Sequence, residues 1–313
     1  MTEPRFDVVC VGNLVADLIV RNLEALPPRT TLQMVEAIDL KAGGCAYTTA
    51  YVLSALGARS AMLGAIGDDI FGRFLEEELV KVGVDCSGLL RHSTLGSTAT
   101  MVVVDGAGER TYVHAAGAAV ALRRESLPEE LLFSGRAIHV AGALINHDLD
   151  GEPTAAIMRE AQARGILTSL DTSWDSSGRW ERVHAALPYL DVFAPGHPEA
   201  RMVSGLDDPR KIAAWARGRG AKIAVIKLGP DGAWVDGPGF RGLVPAIPVT
   251  AIDTTGAGES FNAGFLYGLL RGWPLERAAR LGVATGGRAV SGVGAVAGAC
   301  SLAEALAFAG LGG

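Results

Sequence analysis

No Gly-Lys dipeptide occurs anywhere in the sequence, so no GxxxxGK[ST] phosphate loop exists, and the HRD and DFG triplets of protein kinases are also missing. The four cysteines, Cys10, Cys45, Cys86 and Cys300, show no CxxC spacing, and the six histidines form no HExxH pair. The thiols are therefore read as reduced small hydrophobes, with no protein-ligated transition metal expected. Positive charge is in deficit: 28 Lys and Arg stand against 34 Asp and Glu, a net charge of −6, and no basic run suits nucleic acid or an anionic membrane. No uncharged apolar run reaches the ~18 residues of a membrane span, and "MTEPRFDVVCVGN" does not read as a signal peptide, so a cytoplasmic protein is expected. Aromatics make up only 6% of the chain, yet 49% of it is hydrophobic, enough to bury a large core. Small-molecule chemistry is what remains.

Short β-branched apolar runs alternate with amphipathic stretches, the pattern of βαβ units and a mainly parallel sheet. Buried strands are expected at Val8–Val11, Ala61–Ala65, Ala137–Ala141, Leu167–Leu170, Val192–Ala194 and Ile223–Lys227. Between them "AYTTAYVLSALGA", "FGRFLEEELVKVGV", "EPTAAIMREAQARG" and "PRKIAAWARGRG" have helical periodicity, giving a three-layer α/β/α fold in one unit over 1–313. Two regions break the rhythm, about 14–40 and 96–117. In the second, two β-rich stretches flank Asp105-Gly106-Ala107-Gly108, which predicts a hairpin and, with the first, a small β-sheet lid. The Ala- and Gly-rich C-terminal part reads as closely packed helices with a frayed tail at Leu311–Gly313.

The stretch "DTTGAGESFNAG", residues 253–264, is a glycine turn running into a helix whose apolar face holds Phe261, Phe265, Leu266, Leu269 and Leu270. Glycines let backbone N–H groups converge, and the helix start adds its unpaired amides and positive dipole end. The product is an anion hole, with Glu259 in the first helical turn. The run "GVGAVAG" at 292–298 lies too near the C-terminus for a dinucleotide fingerprint.

The string "DTTGAGESFNAGFLYGLLRG" closely resembles the C-terminal signature of the PfkB, or ribokinase, family of carbohydrate kinases. Five further segments match in the same order: "GNLVADLIV", "AGGCAYTTAYVLSALGA", "LGAIGDDIFGRFLEEELVKVGVD", "APGHPEARMVSG" and "VIKLGPDGAWV". The resemblance implies a ribokinase-like fold and transfer of the γ-phosphoryl of ATP, with Mg²⁺, to a hydroxyl of a sugar or sugar-like alcohol. It implies that the amides of Gly256, Ala257 and Gly258 form the anion hole and that Glu259 is the base, where the family has Asp. Lys227, Gly229, Asp231 and Gly232 would lie at the ATP phosphates. Glu199 would help organise Mg²⁺, with Gly196 standing where the family has Asn. Adenine would lie beside Val283–Gly287 and the loop at 291–294. Asp253 and Thr255, with main-chain oxygens near Ala289 and Gly294, would take a K⁺ ion. Asp17 would grip sugar hydroxyls, with Gly43 and Gly44 against the sugar. Thr48 replaces a family Asn, so Thr48, Asn13 and Tyr47 would define an unusual acceptor. Asp68 and Asp69 are read as a turn and a helix cap. A homodimer through the lid is also implied. A nucleoside kinase, or a binding protein that has lost turnover, are the competing readings.

Overall fold

The computed structural model describes residues 3–107 and 109–312. Its strands are β1 (Phe6–Gly12), β2 (Val15–Arg21), β3 (Ala37–Gly43), β4 (Ser60–Leu63), β5 (Ala65–Gly67), β6 (Leu90–His92), β7 (Ala99–Val104), β8 (Arg110–Ala115), β9 (Gly135–Ala143), β10 (Leu167–Thr172), β11 (Val192–Phe193), β12 (Ile223–Lys227), β13 (Ala233–Gly237) and β14 (Phe240–Val244). Its helices are α1 (Cys45–Ala55), α2 (Ile70–Lys81), α3 (Glu129–Leu132), α4 (Glu152–Ala163), α5 (His197–Ser204), α6 (Pro209–Gly218), α7 (Ala257–Leu270), α8 (Leu275–Ala289) and α9 (Leu302–Ala309).

The main sheet runs β14-β13-β12-β11-β10-β9-β1-β4, parallel from β4 through β12 and antiparallel at β13 and β14. Successive side chains of a strand point to opposite faces, and β1 shows the consequence. Val9 and Val11 enter one core with α4, α5 and α6, while Val8 and Cys10 enter another with α1 and α7. This is the three-layer architecture, with helices on both faces. All six expected strands are present, Ile223–Lys227 with the expected bounds and the others with shifted ends; Ala61–Ala65 breaks at Gly64 into β4 and β5.

The second sheet, β3-β2-β7-β8, comes from the two irregular regions. Its hairpin between β7 and β8 turns on Asp105, whose Oδ1 accepts from the amides of Ala107 (2.9 Å) and Glu109 (2.8 Å). Gly108, the last residue assigned to that turn, lies outside the described residues, as does Gly313 of the C-terminal tail. Asp69 caps α2 through the Gly72 amide at 2.8 Å, and it also accepts from Ser97 N (2.7 Å), which fixes the entry to β7. Asp68 stays on the surface.

Helix α7 is more deeply buried than a one-sided stripe predicts: every residue from Ser260 to Gly268 is buried. Phe261 and Phe265 face one core, Ala263 and Tyr267 another. Its glycines allow this, since a Cβ on Gly264 would lie 2.8 Å from the Leu281 carbonyl oxygen of α8. Among the described residues no helix is long and apolar enough to cross a membrane.

Candidate active site

In open parallel sheets, ligands bind outside the carboxyl ends of the strands, at the point where strand order reverses. Here β1 lies between β4 and β9. Asn13, Asp171 and Lys227 all sit at or just past such strand ends, and the β3-β2-β7-β8 sheet forms the other wall of a cavity of about 420 Å³.

The floor of this cavity is the start of α7. Gly256 has φ +78° and a Cβ there would run into the Ala295 carbonyl, so only glycine lets the turn lie against the 293–295 loop. The Ala257 amide turns back to the Thr254 carbonyl at 3.3 Å. By contrast, the amides of Gly256 and Gly258 donate to no acceptor among the described residues. Of the three amides expected to face an anion, two are thus unengaged. Glu259 occupies the first turn of α7 and lines the cavity.

Behind the turn lies a buried network that sequence reasoning missed. The Lys227 ammonium donates to Asp171 Oδ1 at 2.9 Å and lies 3.5 Å from the Gly258 carbonyl oxygen. Asn262 Nδ2 donates to Asp171 Oδ2 at 2.7 Å. Burial pushes Asp171 up to about 6, against the pull of Lys227 and with the help of the Glu259 and Glu199 charges. Asp171 could have been found as the acid that directly follows the expected buried strand Leu167–Leu170, and Asn262 from its place in the glycine-turn segment. Cys45 was read as an inert hydrophobe. It lines the cavity instead, and its thiol is raised first by burial and then by the Glu259 carboxylate. The combination of unengaged amides, helix start and ammonium fits a phosphate group.

Glu199 lies in the first turn of α5, near enough for its charge to act on Asp171. Gly196 caps that helix, and the Glu199 carboxylate fills the space a Cβ would take, so the missing Asn leaves no void. Gly229 and Asp231 are exposed in the loop from β12 to β13, and Gly232 closes it. That loop joins antiparallel strands. Val283 is packed into a core beside Phe261, whereas Gly287, one turn on, is half open against Phe308. The side of Val283 is therefore not a cleft wall.

The structure brings Asp253, Thr255 and Gly294 together, but it supplies their cation from the protein. Asp253 Oδ1 accepts from the Thr255 amide (2.8 Å) and Arg110 of the lid (2.9 Å), while Oδ2 accepts from the Gly294 amide (2.9 Å). Although burial pulls Asp253 upward, the Thr255 and Gly294 donors and the guanidinium hold it below the usual carboxylate range. The Asp253 carboxylate expected beside a K⁺ ion is thus already neutralised by Arg110. Ala289 is buried at the end of α8, one residue before the Val290 carbonyl that accepts from Ile252 N (2.7 Å).

Toward the lid, Asp17 projects from β2 into the cavity beside Thr100. Burial raises it to about 6; a hydrogen bond from Thr100 opposes the shift and the Asp253 charge adds to it. Gly43 makes room, because a Cβ there would stand 2.7 Å from Asp17 Oδ2. Gly44 is the N-cap of α1 and has no side chain to give, so Asn13 Oδ1 caps the helix by accepting from Cys45 N at 3.0 Å. Asn13, Gly44 and Thr48 all line the cavity. Tyr47, expected beside them, does not: one residue round the helix, it points into the core and stacks on Tyr51.

Comparison with known proteins agrees with this architecture. The model of the "pfkB family carbohydrate kinase" matches residues 5–300. The 2-dehydro-3-deoxygluconokinase of Bacillus subtilis is 28% identical over 84% of this chain and 85% of its own. The fructoselysine 6-kinase of Shigella flexneri is 32% identical over 81% of this chain and 91% of its own. The structure of Arabidopsis thaliana ribokinase complexed with ribose and ATP superposes with a TM-score of 0.85 at 20% identity, over 98% of this chain and 99% of that one, a likeness of fold. Matched by its family nearly end to end, the chain belongs to the pfkB family of carbohydrate kinases and is a sugar kinase.

Proposed function

We propose that the protein transfers the γ-phosphoryl of ATP to a hydroxyl of a sugar or sugar-like alcohol held between the lid and α7, with Glu259 taking the hydroxyl proton. One observation carries this reading: Glu259 belongs both to the acceptor cavity and to the helix turn whose Gly256 and Gly258 amides are unengaged. Mg²⁺-ATP, when bound, supplies the phosphoryl group and offsets its charge. The chain's own part is positioning and electrostatics. The two amides and Lys227 stabilise negative charge at the end of α7. Glu199 organises the metal side, the Gly229–Gly232 loop and Gly287 flank the nucleotide, and Asp17 orients the acceptor by accepting from its hydroxyls.

Glu259 reaches about 1.5 Å further than an Asp, a length that matters where ~1 Å can cost about 10²-fold. Cys45 beside it gives the longer carboxylate a close neighbour. The relatives' named acceptors differ from one another, and Thr48 is not the family's Asn, so the sugar is not inherited. A homodimer through the lid is part of the proposal, because Ile38, Leu40 and Val113 are exposed on it.

The test is ATP consumption over a panel of sugars, sugar acids and nucleosides, with the native protein and its Glu259→Asp and Glu259→Ala forms. Turnover of a sugar by the native form, lowered about 10²- to 10⁴-fold in Glu259→Ala, is expected. Binding of sugar without turnover by the native form would refute it, and a nucleoside as best acceptor would replace the sugar.

A further inference from the structure

Three basic side chains reach the acceptor cavity, Arg21, Lys41 and Arg110. Two are committed: Arg21 pairs with Asp39 at 2.9 Å, and Arg110 with Asp253 at 2.9 Å. Lys41 forms no ion pair among the described residues, although it lies directly opposite Asp17 in the β2–β3 ladder. Facing residues of an antiparallel pair have Cβ atoms ~5 Å apart, close enough for a lysine and an aspartate to join. Instead the stem of Lys41 lies over Gly294, whose ideal Cβ would be 3.5 Å from its Cγ. The ammonium and the Asp17 carboxylate are left flanking the cavity as separate groups.

An ammonium offers three donors and accepts nothing, and a carboxylate only accepts. A ligand that satisfies both must present an oxyanion to one and a hydroxyl to the other. We infer that the acceptor is an anionic polyol, a sugar acid or a sugar phosphate, whose oxyanion is bound by Lys41 while a neighbouring hydroxyl is bound by Asp17. The inference rests on the kinase reading for the place of the acceptor, but the charge preference is a property of binding alone. In a protein of net charge −6, this cation selects at close range and does not act by long-range attraction.

Calorimetric titration of the whole protein without nucleotide tests it, using D-gluconate against D-glucose and D-fructose 6-phosphate against D-fructose. One anionic member should bind about 10- to 100-fold more tightly than its neutral partner, less so at high salt. Which pair shows the larger ratio tells carboxylate from phosphate. Lys41→Met, which keeps the stem over Gly294, should erase the ratio without altering the affinity for the neutral sugar, and Lys41→Arg should retain it. Equal affinities within both pairs, or a ratio that survives in Lys41→Met, would overturn the inference. ATP consumption on the same panel separates the two claims. Anion-selective binding without turnover removes the kinase reading and leaves this one standing; turnover of neutral sugars without anion preference does the reverse.

Discussion

At the α7 end of the cavity the polar groups are main-chain amides and one ammonium, held by a helix start and a buried Lys227–Asp171–Asn262 network. At the lid end they are side chains set at two-residue spacing on paired strands, among them Asp17, Lys41, Thr100 and Arg110. The first end depends on backbone conformation and offers the same chemistry to any phosphate. The second can change specificity one side chain at a time without disturbing the sheet. Arg110 is the link between them, since it reaches from β8 to Asp253 and Thr255 just before the turn.

The sharpest way to break this contrast is at the buried network. Lys227→Met leaves Asp171 without its cation in the core and should cost about 3 kcal/mol in urea unfolding at pH 7.5, with turnover down about 10²-fold or more. Without Lys227, which holds it down, the Asp171 carboxyl titrates above its native value of about 6, so the stability deficit should shrink as pH falls toward about 6 and stay small below it, where Asp171 is protonated in both proteins. Adding Asp171→Asn should restore stability but not turnover. No recovery in the double variant would mean that Lys227 acts through something other than this pair.

At the lid end, Asp17→Asn should lower kcat/KM about 10- to 100-fold while leaving kcat less affected. In the native protein kcat/KM should fall as the pH drops through about 6, and this limb should be absent from the variant. The stability effect has the opposite sign. The Asp17 carboxyl sits at about 6 in the fold, above its unfolded value of ~3.9, so the stability it contributes is complete below the latter and lost as pH rises through the former. Asp17→Asn should therefore raise Tm at pH 7.5 and leave it unchanged near pH 3.5. A lower Tm at pH 7.5 would show that Asp17 supports the lid instead of straining it.

Much of this contrast can be traced to what a single chain reveals. The six buried strands, the α/β alternation and the β7–β8 hairpin were legible, because strand and helix periods and turn residues are local properties. Glu259 in the first turn after a glycine run was legible for the same reason. The joining of Asp171, Asn262 and Cys45 to Lys227 and Glu259 was not, since they come from β10, α7 and α1, and only the packing of those elements creates the network. Tyr47 and Val283 were misplaced because a helix assigns its faces by what packs on it.

The smallest effect concerns the outer surface of the lid. Ile38→Lys, on edge strand β3, should convert a dimer to a monomer by light scattering with little change in Tm. A native protein that is already monomeric would remove the lid dimer from the proposal.

The sequence by itself determined the layer architecture, the glycine turn and the acid at its helix start, because each is written in residues close together along the chain. The tertiary structure alone decided that Arg110 neutralises Asp253, that Asp171 is buried beneath the turn, and that Lys41 faces the cavity without an ion pair among the described residues. The first two depend on charges from distant segments meeting where little water reaches, and the third on how β3 lies against the Gly294 loop; in each case a charge's surroundings are set by geometry, not by its neighbours in sequence.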